Sequence, residues 1–144
     1  LPDESRLPED DRLRLQGTRA IVLRDLDSAA ESFRHLAERH AGDATAWLDL
    51  GRVQEAAGRR TDARSSYLKS IAIDPQYAAA RLRLGRVEGL QSRREEALAA
   101  FAESERLYRL AANPEGEAEV LLQRGEVKRD IDADGVAWYQ RTAH

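Results

Sequence analysis

Residues 44–77 read ATAWLDLGRVQEAAGRRTDARSSYLKSIAIDPQY, and this stretch decides the fold of the chain. The inner face of a first predicted helix carries Trp47, Leu50 and Gly51. Gly58 interrupts the helical pattern, and the inner face of a second predicted helix carries Ala63, Tyr67 and Ser70. Pro75 ends the second helix because it has no backbone N–H to donate. The stretch therefore predicts a pair of antiparallel helices.

Small residues opposite a large one are the specific part of this pattern. Two helices approach closely only where a side chain is nearly absent, and Gly51 and Ala63 provide such places. Tyr67 is the large residue that fills the space beside them, with Trp47 on the facing helix. Glycine inside a helix costs about 0.5–1 kcal/mol relative to alanine, so we expect a packing reason for Gly51.

The same spacing recurs along the chain at intervals of 34 residues. Three sets of positions share this interval: Gly17, Gly51 and Gly85; Ala29, Ala63 and Ala97; and Phe33, Tyr67 and Phe101. A generic amphipathic helical bundle is the alternative, but it gives no reason for a common period. A fixed period of this length is typical of stacked helical hairpins.

Trp-x-x-Leu-Gly, followed by Ala, an aromatic residue and Pro, resembles the tetratricopeptide repeat (TPR). The resemblance covers about residues 10–142 and is strongest in 44–77. It implies an all-α fold, a right-handed α-solenoid of antiparallel helix pairs. Arg24 stands where a turn glycine is common in the family, and Gln16 where leucine is usual.

The resemblance divides the chain into an extended lead-in, residues 1–9, and a single TPR domain, residues 10–144. The expected repeats are 10–43, 44–77, 78–111 with its second helix extended to about 113, and a degenerate or longer-type unit, 115–144. The delayed Pro114 is the reason for the expected extension.

The fourth unit departs from the period, because Gly125 follows Gly85 by 40 residues. We expect its first helix around Gly125 and its second helix to begin near Asp134. Tyr139 matches the aromatic position only if the loop is two residues shorter. This last helix, with Trp138, is expected to expose apolar surface, which favours self-association or continuation into a longer parent protein.

Composition excludes several classes of function. The chain of 144 residues has no cysteine, so disulfides and zinc–thiolate sites are ruled out. Its net charge of −3 argues against nucleic-acid binding, and no long apolar run predicts membrane insertion. Lys69 and Lys128 are the only lysines among 23 basic residues, which suggests a GC-rich bacterial genome. We expect a cytoplasmic location, with the periplasm as the alternative.

In the TPR family, two positions on the first helix of each repeat face a concave ligand groove. The resemblance implies that this groove is lined by Arg14, Thr18, Leu48, Arg52, Leu82, Arg86, Leu122 and Glu126. The leucines would form an apolar floor, and the arginines would present donor forks matched to carboxylates. The alternative is that Arg52 and Arg86 pair with Glu55 and Glu88 and that the leucine row is covered.

The resemblance implies a protein-interaction module that binds an acidic or amphipathic peptide or helix of a partner in this groove. The main alternative is a structural or self-association segment of a larger signalling or assembly protein. Some TPR proteins hold a C-terminal carboxylate with a Lys/Asn/Arg clamp. Thr18, Arg52 and Arg86 occupy the clamp positions without any asparagine, so the clamp is not carried over.

No residues predict catalysis, a cofactor or a metal. His35 and His40 are five residues apart, which is not a spacing for two ligands on one helical face. The alternating acids Asp130, Asp132 and Asp134 lack the glutamate that a calcium loop requires, and we interpret them as a solvated turn and helix start. The chain is therefore expected not to be an enzyme.

Overall fold

The computed structural model describes the backbone of residues 3–142 and the side chains of residues 3–129. A short 3-10 turn at Glu4–Arg6 precedes seven α-helices, and residues 3–142 contain no strand. The helices are α1 (Glu9–Val22), α2 (Leu26–Arg39), α3 (Ala44–Ala56), α4 (Arg60–Ile73), α5 (Ala78–Leu90), α6 (Arg94–Leu110) and α7 (Pro114–Thr142). The predicted all-α helical-repeat fold is confirmed.

The chain is divided into two compact units, with the boundary between Pro75 and Gln76. The first unit contains α1 to α4, and the second contains α5 to α7. The division falls two residues before the predicted border between the second and third repeats. The single domain over residues 10–144 stays a prediction.

Contacts between opposite helix ends show that successive helices are antiparallel. In the first pair, Glu9 at the start of α1 forms an ion pair with Arg39 at the end of α2, with 2.8 Å between Oε2 and Nη1. In the second pair, the Ser70 hydroxyl near the end of α4 donates to the carbonyl of Ala44, the first residue of α3, at 2.7 Å. Ser104 on α6 makes the equivalent bond to Ala78 on α5 at 2.8 Å.

Glycines at the 34-residue interval lie directly beneath aromatic rings of the paired helix. A Cβ placed on Gly51 would lie 2.6 Å from Cδ1 of Tyr67, and one on Gly85 would lie 2.7 Å from Cδ1 of Phe101. Gly17 and Phe33 repeat the arrangement at 2.7 Å. The predicted packing of a large side chain against Gly51 is thus confirmed. Among the residues whose side chains are described, none places an atom within 4 Å of a Cβ on Gly125.

Trp47 lies on α3, the helix that faces the helix of Tyr67, as expected. It also belongs to a buried cluster with Ala37 of α2 and Ala46 and Leu50 of α3. Its indole N–H donates to the carbonyl of Ala41 at 3.0 Å, and Lys69 Nζ lies 4.3 Å from the ring centroid. Trp47 therefore joins the two helix pairs of the first unit.

The turns between paired helices share a left-handed residue seven positions after the repeat glycine. The φ angles there are 61° at Arg24, 75° at Gly58 and 60° at Ser92. Only Gly58 adopts this conformation without a steric cost. Arg24 therefore occupies the left-handed turn position that Gly58 occupies in the next pair. An arginine in the sequence does not by itself indicate such a turn.

The second unit ends in one long helix instead of a fourth helix pair. Its core contains Leu82, Phe101, Val120 and Val127, contributed by α5, α6 and α7. α7 runs without interruption to Thr142, so the expected turn at Asp130–Asp134 and the expected helix start near Asp134 are wrong. The side chains of Trp138 and Tyr139 lie outside the described residues, and their predicted exposure stays a prediction.

Replacement of Gly51 by alanine tests the close contact between Gly51 and Tyr67. The sign of the change in the free energy of unfolding shows whether there is room for a methyl group. In an exposed helix, Gly→Ala raises the free energy of unfolding by roughly 0.5–1 kcal/mol. At Gly51 the new methyl group collides with the fully buried Tyr67 ring. We therefore expect Gly51→Ala to lower the free energy of unfolding by about 1–2 kcal/mol, measured by urea denaturation.

Gly125→Ala is the matched control, since Gly125 holds the same pattern position in a helix but meets open space. We expect the free energy of unfolding of this variant to rise by roughly 0.5–1 kcal/mol. Stabilisation by both substitutions would show that the aromatic ring does not require glycine at position 51.

Candidate functional site

The predicted groove residues fall in both units. Arg14 and Thr18 on α1 and Leu48 and Arg52 on α3 belong to the first unit. The second unit holds the other four, which are Leu82 and Arg86 on α5 and Leu122 and Glu126 on α7. Arg14, Thr18 and Arg52 are exposed, and Arg86 is half-buried.

Two of the three leucines at the predicted groove positions are buried. Leu48 is 2% exposed and Leu82 is 8% exposed, so both are part of the interior. Leu122 is 55% exposed and keeps most of its surface available. The burial of Leu48 and Leu82 favours the alternative of a covered leucine row, and the predicted ligand contacts of the leucines stay a prediction.

Arg14 and Arg52 both act on a carboxylate that the groove pattern does not include, that of Asp49. Asp49 Oδ1 lies 3.9 Å from Arg52 Nη1, and the charge of Arg14 also lowers the pKa of Asp49. Asp49 is half-buried, while both arginines are exposed. The first unit thus presents two cations, from α1 and α3, whose charges both act on one acidic group.

The pKa of Asp49 lies above its usual value. Partial burial is the largest cause, because it disfavours the charged carboxylate. Arg52 and then Arg14 act in the opposite direction, and the negative charge of Asp43 adds a smaller upward contribution. The two arginines therefore do not fully compensate the desolvation of this group.

The expected alternative partner of Arg52 has another contact. Glu55 accepts a hydrogen bond from the Tyr67 hydroxyl at 2.7 Å, which ties α3 to α4. Arg52 lies beside Asp49, three residues earlier on the same helix. This spacing is a common one for helical ion pairs and could have identified Asp49 in the sequence.

Glu88, the expected alternative partner of Arg86, is buried in the second unit. Its Oε2 atom lies 3.6 Å from Nε of Arg93, which precedes α6. Glu88 therefore connects α5 to the start of α6.

The two internal histidines contact carboxylates of neighbouring residues. His35 lies 3.0 Å from Glu31, and His40 lies 2.6 Å from Asp10. The part of the chain with described side chains contains no group of three or more His, Asp or Glu that could hold a metal ion. Within the described helices, none is both long enough and apolar enough to cross a membrane.

Comparison with protein families gives one match, to the tetratricopeptide repeat, over residues 14–78. This range contains all but the first four residues of the first predicted repeat and all of the second. A comparison with curated proteins returned no match.

Solved structures with a similar fold include two TPR domains and the protein PcrH. The TPR2B domain of yeast Sti1, solved in complex with pHsp70, has a TM-score of 0.76, 16% identity, and covers 85% of this chain and 98% of that one. The Sgt2 TPR domain from Aspergillus fumigatus has a TM-score of 0.74, 19% identity, and coverage of 96% and 85%. PcrH, in complex with the chaperone binding region of PopD, has a TM-score of 0.73, 20% identity, and coverage of 87% and 96%. At these identities the likeness shows a shared fold.

Titration of Asp49 tests the electrostatic influence of Arg14 and Arg52 on its carboxyl group. We expect NMR of the side-chain carboxyl to give a pKa above 3.8 for Asp49 and a still higher one in Arg52→Gln, since that variant removes the larger downward influence. Asp25 is the internal control, because its pKa is lowered mainly by hydrogen bonds from Ser28 and should not change.

The same pKa shift has a consequence for stability. The folded state holds the Asp49 proton more tightly than the unfolded state, so ionisation of Asp49 lowers stability as the pH rises past 3.8. Asp49→Asn should therefore be more stable than the wild type at neutral pH, with the difference shrinking in acid. A wild-type pKa at or below 3.8 would contradict this account.

Proposed function

Since residues 14–78 of this chain belong to the tetratricopeptide-repeat family, we propose that the protein is an interaction module that binds an acidic segment of a partner protein. The tetratricopeptide repeat is a scaffold for protein interactions. Arg14, Thr18 and Arg52 on α1 and α3 are the proposed contact residues in the first unit. The chain itself is assigned no catalytic role.

The observation that carries this proposal is the position of Arg52 beside Asp49, with 3.9 Å between Nη1 and Oδ1, together with the influence of the exposed Arg14 on the same carboxyl group. Two exposed guanidinium groups from different helices therefore influence the same carboxyl group, and we propose that they engage one acidic segment together. Each offers a planar fork of N–H donors that fits a carboxylate in two-point fashion.

Asp49 leaves Arg52 available for such a ligand. The 3.9 Å separation between Arg52 Nη1 and Asp49 Oδ1 is an ion-pair distance but exceeds a hydrogen-bond length. Each exposed ion pair with a ligand adds only about 0.2–1 kcal/mol, so useful affinity requires several contacts. A segment that spans both arginines satisfies this requirement better than a single carboxylate.

Structures of the same fold with bound proteins support the general role. Yeast Sti1 TPR2B was solved with pHsp70, and PcrH with a region of PopD. In the present chain Thr18 stands at a position where the carboxylate clamp of some TPR proteins requires a polar amide or cation. The proposed ligand is therefore recognised through acidic side chains along its length, and not through its C-terminus.

A structural or self-association role is the second candidate. The exposed pair Leu121 and Leu122 on α7 favours it, since neighbouring exposed leucines are suited to a protein contact. Light scattering across a range of protein concentrations separates this role from that of a monomeric binding module.

Charge reversal tests the proposed binding surface. We expect an array of acidic peptides to contain members that the wild-type protein binds, with matched lysine-substituted peptides as negatives. For the peptides that the wild type binds, Arg14→Glu/Arg52→Glu should raise the dissociation constant tenfold or more, because electrostatic attraction becomes repulsion. Fluorescence anisotropy provides the measurement.

Arg12→Glu/Arg60→Glu is the matched control, since it makes the same change of charge near the starts of α1 and α4. We expect its affinities to stay within about twofold of the wild type. Equal losses in both double variants would show that binding responds to net charge alone and would refute a specific surface at Arg14 and Arg52.

A further inference from the structure

Gly125 occupies the repeat-glycine position but has no aromatic ring above it. In the three complete pairs, the residue sixteen positions after the glycine is an aromatic that covers it. Those glycine–aromatic pairs are Gly17 with Phe33, Gly51 with Tyr67 and Gly85 with Phe101. A Cβ on Gly125 meets nothing within 4 Å in the described part of the chain. The place of a covering helix is therefore open.

Two features of the sequence explain why the chain does not cover Gly125 itself. The position seven residues later is Asp132, which lies within α7 and not in a left-handed turn. The position sixteen residues later is Arg141 and not an aromatic. Because α7 continues to Thr142, the chain does not turn back onto Gly125 as α2, α4 and α6 turn back onto their glycines.

A groove of about 370 Å³ lies beside Gly125 within the second unit, between α6 and α7. Its apolar lining comes from Leu98 on α6 and Leu121 on α7, and Leu121 is 50% exposed. A volume of this size accommodates an aromatic side chain and its neighbours on one face of a helix.

The rest of the groove lining is cationic. Arg94 on α6 and Arg124 and Lys128 on α7 complete the lining. Arg124 donates to Glu105 at 3.0 Å, which offsets its charge in part. Arg94 and Lys128 form no ion pair with any side chain among residues 3–129. The groove thus combines an apolar floor with an excess of positive charge.

We propose that this groove is a docking site for an acidic amphipathic helix of a partner protein, which places an aromatic side chain against Gly125. The three covered glycines show which chemistry fits above a glycine of this type, namely an aromatic ring on an antiparallel helix. The cations select carboxylates on the flanks of that helix. This site is separate from Arg14 and Arg52 of the first unit and goes beyond the function proposed for them.

A synthetic peptide with the sequence of residues 94–110 is a suitable probe, because this helix places Phe101 over Gly85 in the protein itself. The peptide carries four glutamates, Glu95, Glu96, Glu103 and Glu105, for the cations of the groove. We expect the fluorescein-labelled peptide to bind the full chain, and a peptide with Phe101→Ala to bind at least tenfold more weakly, measured by fluorescence anisotropy.

Substitutions in the protein locate the site. Gly125→Leu fills the place of the aromatic ring and should weaken peptide binding at least tenfold, without loss of stability, because leucine is a good helix former and meets open space. Gly42→Leu is the control, since a Cβ there also meets nothing within 4 Å, and it should leave binding unchanged. Arg94→Glu/Lys128→Glu should weaken binding at least tenfold.

Three results would overturn the proposal. The first is a lack of peptide binding, or binding that Gly125→Leu leaves intact. The second is loss of binding in Arg14→Glu/Arg52→Glu alone, which would assign the peptide to the first unit. The third is concentration-dependent association of the wild type that Gly125→Leu abolishes, which would identify a second copy of the chain as the occupant. If no peptide of the acidic array binds, the function proposed for Arg14 and Arg52 fails, but the site at Gly125 is still tested. The 94–110 peptide and the Gly125→Leu variant are not part of the array experiment.

Discussion

The close approach of a glycine to an aromatic ring is the interaction on which the rest of the structure depends. At Gly51 there is no room for a single methyl group beneath Tyr67, and the same is true of Gly17 beneath Phe33 and Gly85 beneath Phe101. This contact fixes how near the two helices of a pair lie and how one is rotated against the other. The free-energy cost of glycine in a helix is offset by burial of the ring, which is complete for Tyr67 and Phe101 and partial for Phe33.

Two further features depend on the close packing of these helix pairs: hydrogen bonds from serines and left-handed turn residues. Serines near the ends of α4 and α6 reach the first carbonyls of α3 and α5, as in the bond from Ser70 to Ala44. Left-handed residues set the turns, including Arg24 and Ser92, which are not glycines. Their steric cost is small compared with the burial that the turn makes possible. The local conformation therefore follows from the packing of the pair.

The two proposed binding surfaces differ in physical character. Around Asp49, two exposed arginines provide charge with little apolar area, since Leu48 is buried. Around Gly125, an apolar groove with cationic lining is open because no ring among the described side chains covers the glycine. The first surface suits an extended acidic segment, and the second suits a helix with one large anchor. A single partner need not occupy both.

The sequence by itself determined the repeat period, the all-α class and the glycine–aromatic partners, because these depend on residue size at fixed spacing. It also placed Arg14 and Arg52 on their helices. Only the tertiary structure decided which of these side chains are accessible: the pattern positions of Leu48 and Leu122 are equivalent, yet one is buried and the other exposed. It also decided that α7 continues through Asp132, and that Asp49 joins Arg14 and Arg52. The physical reason is that burial and charge at one position depend on neighbours distant in the chain, which a periodic pattern does not specify.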